Sequence, residues 1–177
     1  MKIIVFSDTH GIYSSVRKIM TLQHDADLFV FLGDGERDIL TLLQNKPELR
    51  DKFLTVQGNC DSGRLIPGMQ DEIAYSLPHG HKLFAAHGHQ YHVGFGTERM
   101  VWEGQHRHAD IILYGHTHCR DARYEDGVHI LNPGSAGIPR DGRKQSYAVI
   151  SVSENGILTN IMDVPTYEVV PESPPAL

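Results

Sequence analysis

The sequence predicts an α/β protein in which two β-sheets pack together with helices outside. Three observations predict it. In the first half of the chain, short continuous apolar runs alternate with segments of helical periodicity. The second half is rich in strand-like runs and hairpin signals. Nearly every apolar run ends in a glycine and a polar residue of metal-binding type.

The first run, Ile3-Ile4-Val5-Phe6, stops at Ser7-Asp8, and Val16, Ile19, Met20 and Leu22 then recur at near-helical spacing. Leu28 to Leu32 is a second strand, stopped by Gly33-Asp34-Gly35. Ile39, Leu40, Leu42 and Leu43 mark a second helix that ends near Pro47. Phe53 to Val56 is a third strand, stopped by Gly58-Asn59. Continuous apolar strands interleaved with helices imply parallel pairing with both faces covered. Further strands are expected at Ile73–Leu77, Lys82–Ala86, Ile111–Tyr114, Ala122–Glu125, Val128–Leu131, Tyr147–Val152 and Ile157–Met162, with one helix between Thr97 and His108. Glu125-Asp126-Gly127 and Glu154-Asn155-Gly156 read as hairpin turns.

A chain of 177 residues fits one domain, 1–177, whose Pro-rich end from about 165 to 177 reads as an extended tail. Hydrophobic residues at 40% permit a sizeable core. The formal charge of −6 argues against a broad nucleic-acid surface, which needs many Lys and Arg. It leaves room for a small anionic substrate, because bound cations reverse the field locally. Cys60 and Cys119 are too few for a disulfide framework. No apolar run approaches the roughly 20 residues that cross a bilayer. These features read as a cytoplasmic protein with no membrane partner.

The chemistry follows from position. Asp8 and His10 follow the first strand, Asp34 the second and Asn59 the third. His87 follows Leu83-Phe84-Ala85-Ala86, and His116 and His118 follow Ile111 to Tyr114. Ligands of α/β proteins gather beyond the carboxyl ends of strands, so these seven side chains are expected to converge. A set of carboxylates, imidazoles and an amide oxygen suits first-row divalent ions. Seven ligands exceed what one tetrahedral zinc takes, whereas two ions sharing Asp34 would use them all. Two metals about 3.5–4 Å apart suit in-line phosphoryl chemistry, with a bridging hydroxide as the nucleophile. Glu36 is a candidate for support just outside the ligands, and the Gly94-Phe95-Gly96 loop for the lining of the cleft. Each of these residues has a blander reading: Asp8 as a helix cap, Asp34 as turn chemistry. Their joint occurrence with His116-Thr117-His118 favours the metal site.

Ser7-Asp8-Thr9-His10-Gly11, Gly33-Asp34-Gly35, Gly58-Asn59-Cys60-Asp61, His87-Gly88-His89 and Gly115-His116-Thr117-His118, in this order, resemble the calcineurin-like metallophosphoesterase superfamily. Asn132-Pro133-Gly134-Ser135 is similar to a late loop of its small bacterial and archaeal YfcE-like phosphodiesterase branch. The resemblance runs from Met1 to about Tyr147. It implies a four-layer αββα sandwich, with two mixed sheets face to face and helices outside. It implies that Asp8, His10, Asp34 and His118 hold one ion and Asp34, Asn59, His87 and His116 the other. The expected cofactors are therefore two divalent ions, Mn first, with Fe, Ni, Co or Zn as alternatives. Asp34, Asn59 and His89 are the expected catalytic residues. Many family members carry His directly after the Asn, where this chain has Cys60. A thiol protonated at neutral pH is a poorer general acid, so substrates with good leaving groups, or a second acid such as His89, are expected.

The expected function is hydrolysis of a small phosphoester, as a phosphodiesterase or phosphatase. The second reading is a non-catalytic protein-binding scaffold on the same fold, like a subunit of the eukaryotic retromer complex. A nuclease is a third, disfavoured by the acidic charge. Small relatives often associate, which points to a homodimer or higher homo-oligomer.

Overall fold

The structure is a computed structural model that describes residues 1–169. Its strands are β1 (Lys2–Phe6), β2 (Leu28–Phe31), β3 (Phe53–Thr55), β4 (Glu72–Ser76), β5 (Lys82–Ala86), β6 (Ile111–Leu113), β7 (Arg120–Glu125), β8 (Val128–Pro133), β9 (Ser146–Ser153) and β10 (Gly156–Asp163). Its α-helices are α1 (Tyr13–Leu22), α2 (Glu36–Asn45) and α3 (Glu98–His106). The elements read from the sequence are all present, with ends shifted by one or two residues. Most of the expected C-terminal tail, residues 170–177, lies outside the described residues.

Two mixed five-stranded sheets form, in the orders β10-β9-β1-β2-β3 and β4-β5-β6-β8-β7. In the first, β1, β2 and β3 are parallel and β9 joins β1 antiparallel. In the second, β5, β6 and β8 are parallel, with β4 and β7 antiparallel at the edges. The division does not follow the two halves of the chain. β9 and β10 cross back to close the first sheet.

Side chains alternate along a strand, so a strand buried on both sides serves two cores. Ile3 and Val5 of β1 face the second sheet, where they meet a cluster that includes Leu83, Ile111, Leu113 and Leu131. Ile4 and Phe6, from the same strand, face the other way with Phe29 and Phe31, against Val16 and Ile19 of α1 and Ile39 and Leu42 of α2. On the outer face of the second sheet, Phe84, Ile112 and Ile130 pack with Met100 of α3. The layers are therefore helices, sheet, sheet, helix. The β7–β8 turn uses left-handed Asp126 (φ 50°) and Gly127 (φ 81°), the geometry that matches strand twist in a two-residue hairpin. Among the described residues no helix is long and apolar enough to cross a membrane.

The single helix of the fourth layer sits close to its sheet. A Cβ on Gly104 of α3 would lie 2.6 Å from the Ile112 side chain and 3.4 Å from Phe84. Gly104→Ala should therefore force α3 away from β6 and cost about 1–3 kcal/mol, read by urea denaturation. Stability equal to that of the unsubstituted protein would show that the layer has slack.

Candidate metal centre

All seven expected ligand residues lie in loops at one rim. Asp8 and His10 follow β1, Asp34 follows β2 and Asn59 lies beyond β3, while His87 follows β5 and His116 and His118 follow β6. The two rims are tied to each other. The Asp8 amide donates to Gly33 O (2.9 Å) and the His10 amide to Asp34 O (3.0 Å) within the first sheet's loops. Across the sheets, the His116 amide donates to Asp8 Oδ2 at 3.1 Å. Gly115 permits this approach, since a Cβ there would fall 2.1 Å from Ser7 Oγ and 2.9 Å from Asp8 Oδ2.

Five of the seven residues have left-handed backbones: Asp8 (φ 54°), His10 (45°), Asp34 (60°), His116 (68°) and His118 (59°). For non-glycine residues this conformation costs roughly 1–2 kcal/mol each, and it persists only where the surroundings enforce it. Here they turn each side chain from the strand end inward.

Two imidazoles have their orientation fixed from behind. His87 Nδ1 lies 2.6 Å from Leu32 O, and His118 Nδ1 lies 2.6 Å from Ile138 O. A carbonyl only accepts, so each Nδ1 carries the proton and a neutral ring presents a bare Nε2 lone pair. His87 Nε2 points at Asn59 Oδ1 (3.1 Å) and Asp34 Oδ2 (3.5 Å). His118 Nε2 points at His10 Nε2 (3.1 Å) and Asp8 Oδ1 (3.3 Å). His10 Nε2 is also 3.8 Å from Asp34 Oδ2. Asp8 is fully buried, and its Oδ1 has no hydrogen-bond donor. Acceptors facing acceptors in a dry site repel unless a cation or a proton lies between them. Asp8-His10-His118, Asp8-Asp34-His87 and His10-Asp34-Cys60 are the tight donor groups, each with atoms within 4.8 Å of one another.

His116 borders these groups, its ring 5.2 Å from that of His87 and 6.1 Å from that of His89. His89, in a 3₁₀ turn, places its ring 5.4 Å from His87, and its buried Nδ1 has no partner. The Gly94-Phe95-Gly96 loop does not line this site. Phe95 and Gly96 border a separate hollow with Tyr91 and Arg99, because the 3₁₀ turn and left-handed His92 carry the chain away first. Arg120 is occupied by Asp163 and Lys144 O, whereas the charge of Arg140 is felt at His118.

Beyond Glu36, sequence reasoning missed the acids that hold the loops. Asp61 accepts the amides of Asp34 (2.7 Å), Gly35, Glu36 and Gly58 (2.9 Å each), bracing the loop after β2, the start of α2 and the loop after β3 together. Asp38 accepts the Thr9 hydroxyl and the Gly11 amide, fixing the loop after β1. Glu36 accepts from Ser62 and from the Leu65 amide, which gives it the supporting place expected of it. Asn132 ties Gly115 O to Thr117, and Ser135 donates to Asp8 O. Asp61 closes the Gly58-Asn59-Cys60-Asp61 motif, and an acid in that position was the available signal.

The electrostatics follow the geometry. Burial disfavours charge on Asp34, but the hydrogen bond and charge of His87, with the Cys60 amide, outweigh it and hold the carboxyl well below the usual range. Burial also opposes charge on His87 and His118, yet the facing carboxylates of Asp34 and Asp8 raise His87, and Asp8 raises His118. His89 and His116 are lowered, by burial and then by the field of His87. Burial and the Asp34 carboxylate push the Cys60 thiol up to about 11.

A profile of the calcineurin-like phosphoesterase superfamily domain matches residues 1–155. The phosphodiesterase YfcE of Escherichia coli is 30% identical over 180 residues, covering 91% of each chain. The crystal structure of a conserved protein from Streptococcus pneumoniae, described as a predicted phosphoesterase, superposes with a TM-score of 0.76 at 28% identity, covering 97% of this chain and 93% of that one. Vps29 from Entamoeba histolytica, complexed with Zn²⁺, superposes with a TM-score of 0.68 at 18% identity, covering 93% and 100%, which shows a shared fold.

The histidines give the chelated protein a stability maximum. His87 and His118, raised, contribute fully below the ordinary imidazole value of about 6.5 and lose that contribution as pH rises through their folded values. His89 and His116, lowered, destabilise the fold as pH falls below that value. Urea denaturation in chelator should show greatest stability near pH 6.5, and a steady rise from pH 6 to pH 9 would contradict the assignment.

Proposed function

The chain belongs to the calcineurin-like phosphoesterase superfamily, and from that premise we propose that it is a dinuclear metal-dependent phosphodiesterase acting on a small phosphoester. The supporting observation is the buried Asp8 carboxylate, whose Oδ1 has no donor and faces His118 Nε2, the bare nitrogen of a ring whose Nδ1 is held by the Ile138 carbonyl. Such a pocket is stabilised by a cation. Asp8, His10 and His118, with Asp34, would hold one ion, and Asp34, Asn59, His87 and His116 the other. The donor chemistry suits Mn, with Fe, Ni, Co or Zn as alternatives. The chemistry such ions would supply is polarisation of the phosphate and acidification of a water for in-line attack.

The chain's own groups do the rest. The carbonyls of Leu32 and Ile138 keep His87 and His118 in the ligating tautomer. Asn59, exposed beside Cys60, is placed to touch a phosphate oxygen as well as an ion. His89, with its unpartnered Nδ1 and lowered pKa, is the candidate to contact the departing oxygen. Burial and the Asp34 carboxylate push the Cys60 thiol up to about 11, well above the working pH at which a general acid is most effective. Esters with good leaving groups are the substrates this favours. Both cysteines are free, which supports a reducing, cytoplasmic setting.

The fold shared with Vps29 supports a second reading as a non-catalytic binding scaffold. Because that fold relative is described in complex with Zn²⁺, metal content alone does not separate the two readings. Turnover does.

With Mn²⁺ the purified protein should hydrolyse bis-p-nitrophenyl phosphate, and much more slowly an alkyl diester. Asp34→Asn and His116→Ala should each lower kcat by at least about 100-fold, equivalent to roughly 2.7 kcal/mol of lost transition-state stabilisation. Full activity in both variants, or in excess chelator, would reject the hydrolase. Asp61→Ala removes the acceptor for four amides and should weaken Mn²⁺ binding about 10–100-fold by calorimetry. Unchanged affinity would show that those loops hold without it.

A further inference from the structure

Beside the ligand residues an open cleft of about 340 Å³ runs over the start of α2. It is lined by His10, Asp34 and Cys60, which belong to the candidate metal centre, and also by Arg37, Ser62 and Leu65, which do not. A phosphoester bound at the metal centre therefore has this cleft as a place for the rest of its structure.

The wall of the cleft is acidic by composition but not by availability. The carboxylate of Asp38 is taken by Thr9 and Gly11, that of Asp61 by four amides, and that of Glu36 by Ser62 and Leu65. These acids are spent on fixing loops, and among the described residues none of them pairs with Arg37. Arg107, Arg120 and Arg123 are by contrast all engaged with carboxylates. Arg37 stands exposed on the second residue of α2, a guanidinium with no carboxylate partner among the described residues, lining a cleft continuous with Asp34. Guanidinium binds phosphate through paired N–H donors. Leu65, 38% exposed, adds an apolar surface to the lining of the same cleft, held in place by its amide on Glu36.

We propose that this cleft is a substrate subsite, in which Arg37 binds a second phosphate carried on the ester beyond the scissile one and Leu65 packs against the organic group between them. The substrate class is a phosphoester with a further phosphate on an apolar-faced organic group, as in a nucleotide. This rests on the proposed phosphodiesterase reading, because the metal centre must take the first phosphate.

The probes are adenosine 5′-monophosphate, adenosine 5′-diphosphate and adenosine 3′,5′-bisphosphate. They are compared as inhibitors of bis-p-nitrophenyl phosphate hydrolysis and, independently, by calorimetric titration of the Mn²⁺-loaded protein. In the unsubstituted protein at least one two-phosphate probe should bind about five- to tenfold more tightly than the monophosphate. Arg37→Ala should remove that preference, Arg37→Lys should retain part of it, and Arg50→Ala, on the 3₁₀ turn after α2, should keep it whole. Melting curves of the variants check that each is folded. Equal binding of all three probes, or a preference that survives Arg37→Ala, overturns the proposal. A protein that does not hydrolyse the reporter ester fails the phosphodiesterase reading instead, and the titration still reports on the cleft.

Discussion

Asp8 has almost no freedom. Its carboxylate is fully buried, one oxygen receives only the His116 amide, and the other faces the nitrogens of His118 and His10 without a donor. An isolated carboxylate in a dry interior is costly, by several kcal/mol even after relaxation. Much of the surrounding structure is arranged to keep that oxygen where it is. The sheets are pressed together at Gly115, the imidazole rings are fastened from behind by carbonyls, and Ser135 holds the Asp8 carbonyl from a third direction.

The loops bearing the expected ligand residues are irregular, and five of those residues are strained. What opposes the strain is a set of side-chain acceptors that capture backbone N–H groups no helix or sheet would satisfy. Asp61 alone gathers amides from three segments. It also supplies α2 with an acceptor at its first turn, a task that Gly35 at the cap position has no side chain to perform. Scaffold and site thus share residues: the group that starts a helix also sets the height of Asp34.

Much of this was legible in the sequence. The apolar runs Ile3–Phe6 and Leu28–Leu32 read as strands because both of their faces are buried, so no polar residue interrupts them. The residues at their ends read as a site because seven residues of ligand type, each following a strand, have no common structural cause. The strand order was not legible. β9 alternates buried and exposed residues in its second half like any edge-facing strand, and nothing in it names β1 as its neighbour. The left-handed backbones were hidden too, since Asp and His do not announce positive φ as Gly does. The roles of Asp38 and Asp61 were hidden as well, because they depend on amides more than 20 residues away.

The return of the last hairpin to the first sheet has a consequence for the order in which the protein can be made. β1 lies between β2 and β9, so the strand leading to Asp8 and His10 lacks one neighbour until residues 146–153 have left the ribosome. Until then Ile3 and Ile4 of the nascent chain have an open backbone edge and no cover from Ile150 or Val149. β1 is synthesised ahead of its two neighbours and is among the last strands to be secured, and a ribosome stalled between His118 and β9 would present a chain that carries all seven expected ligand residues but cannot hold them still.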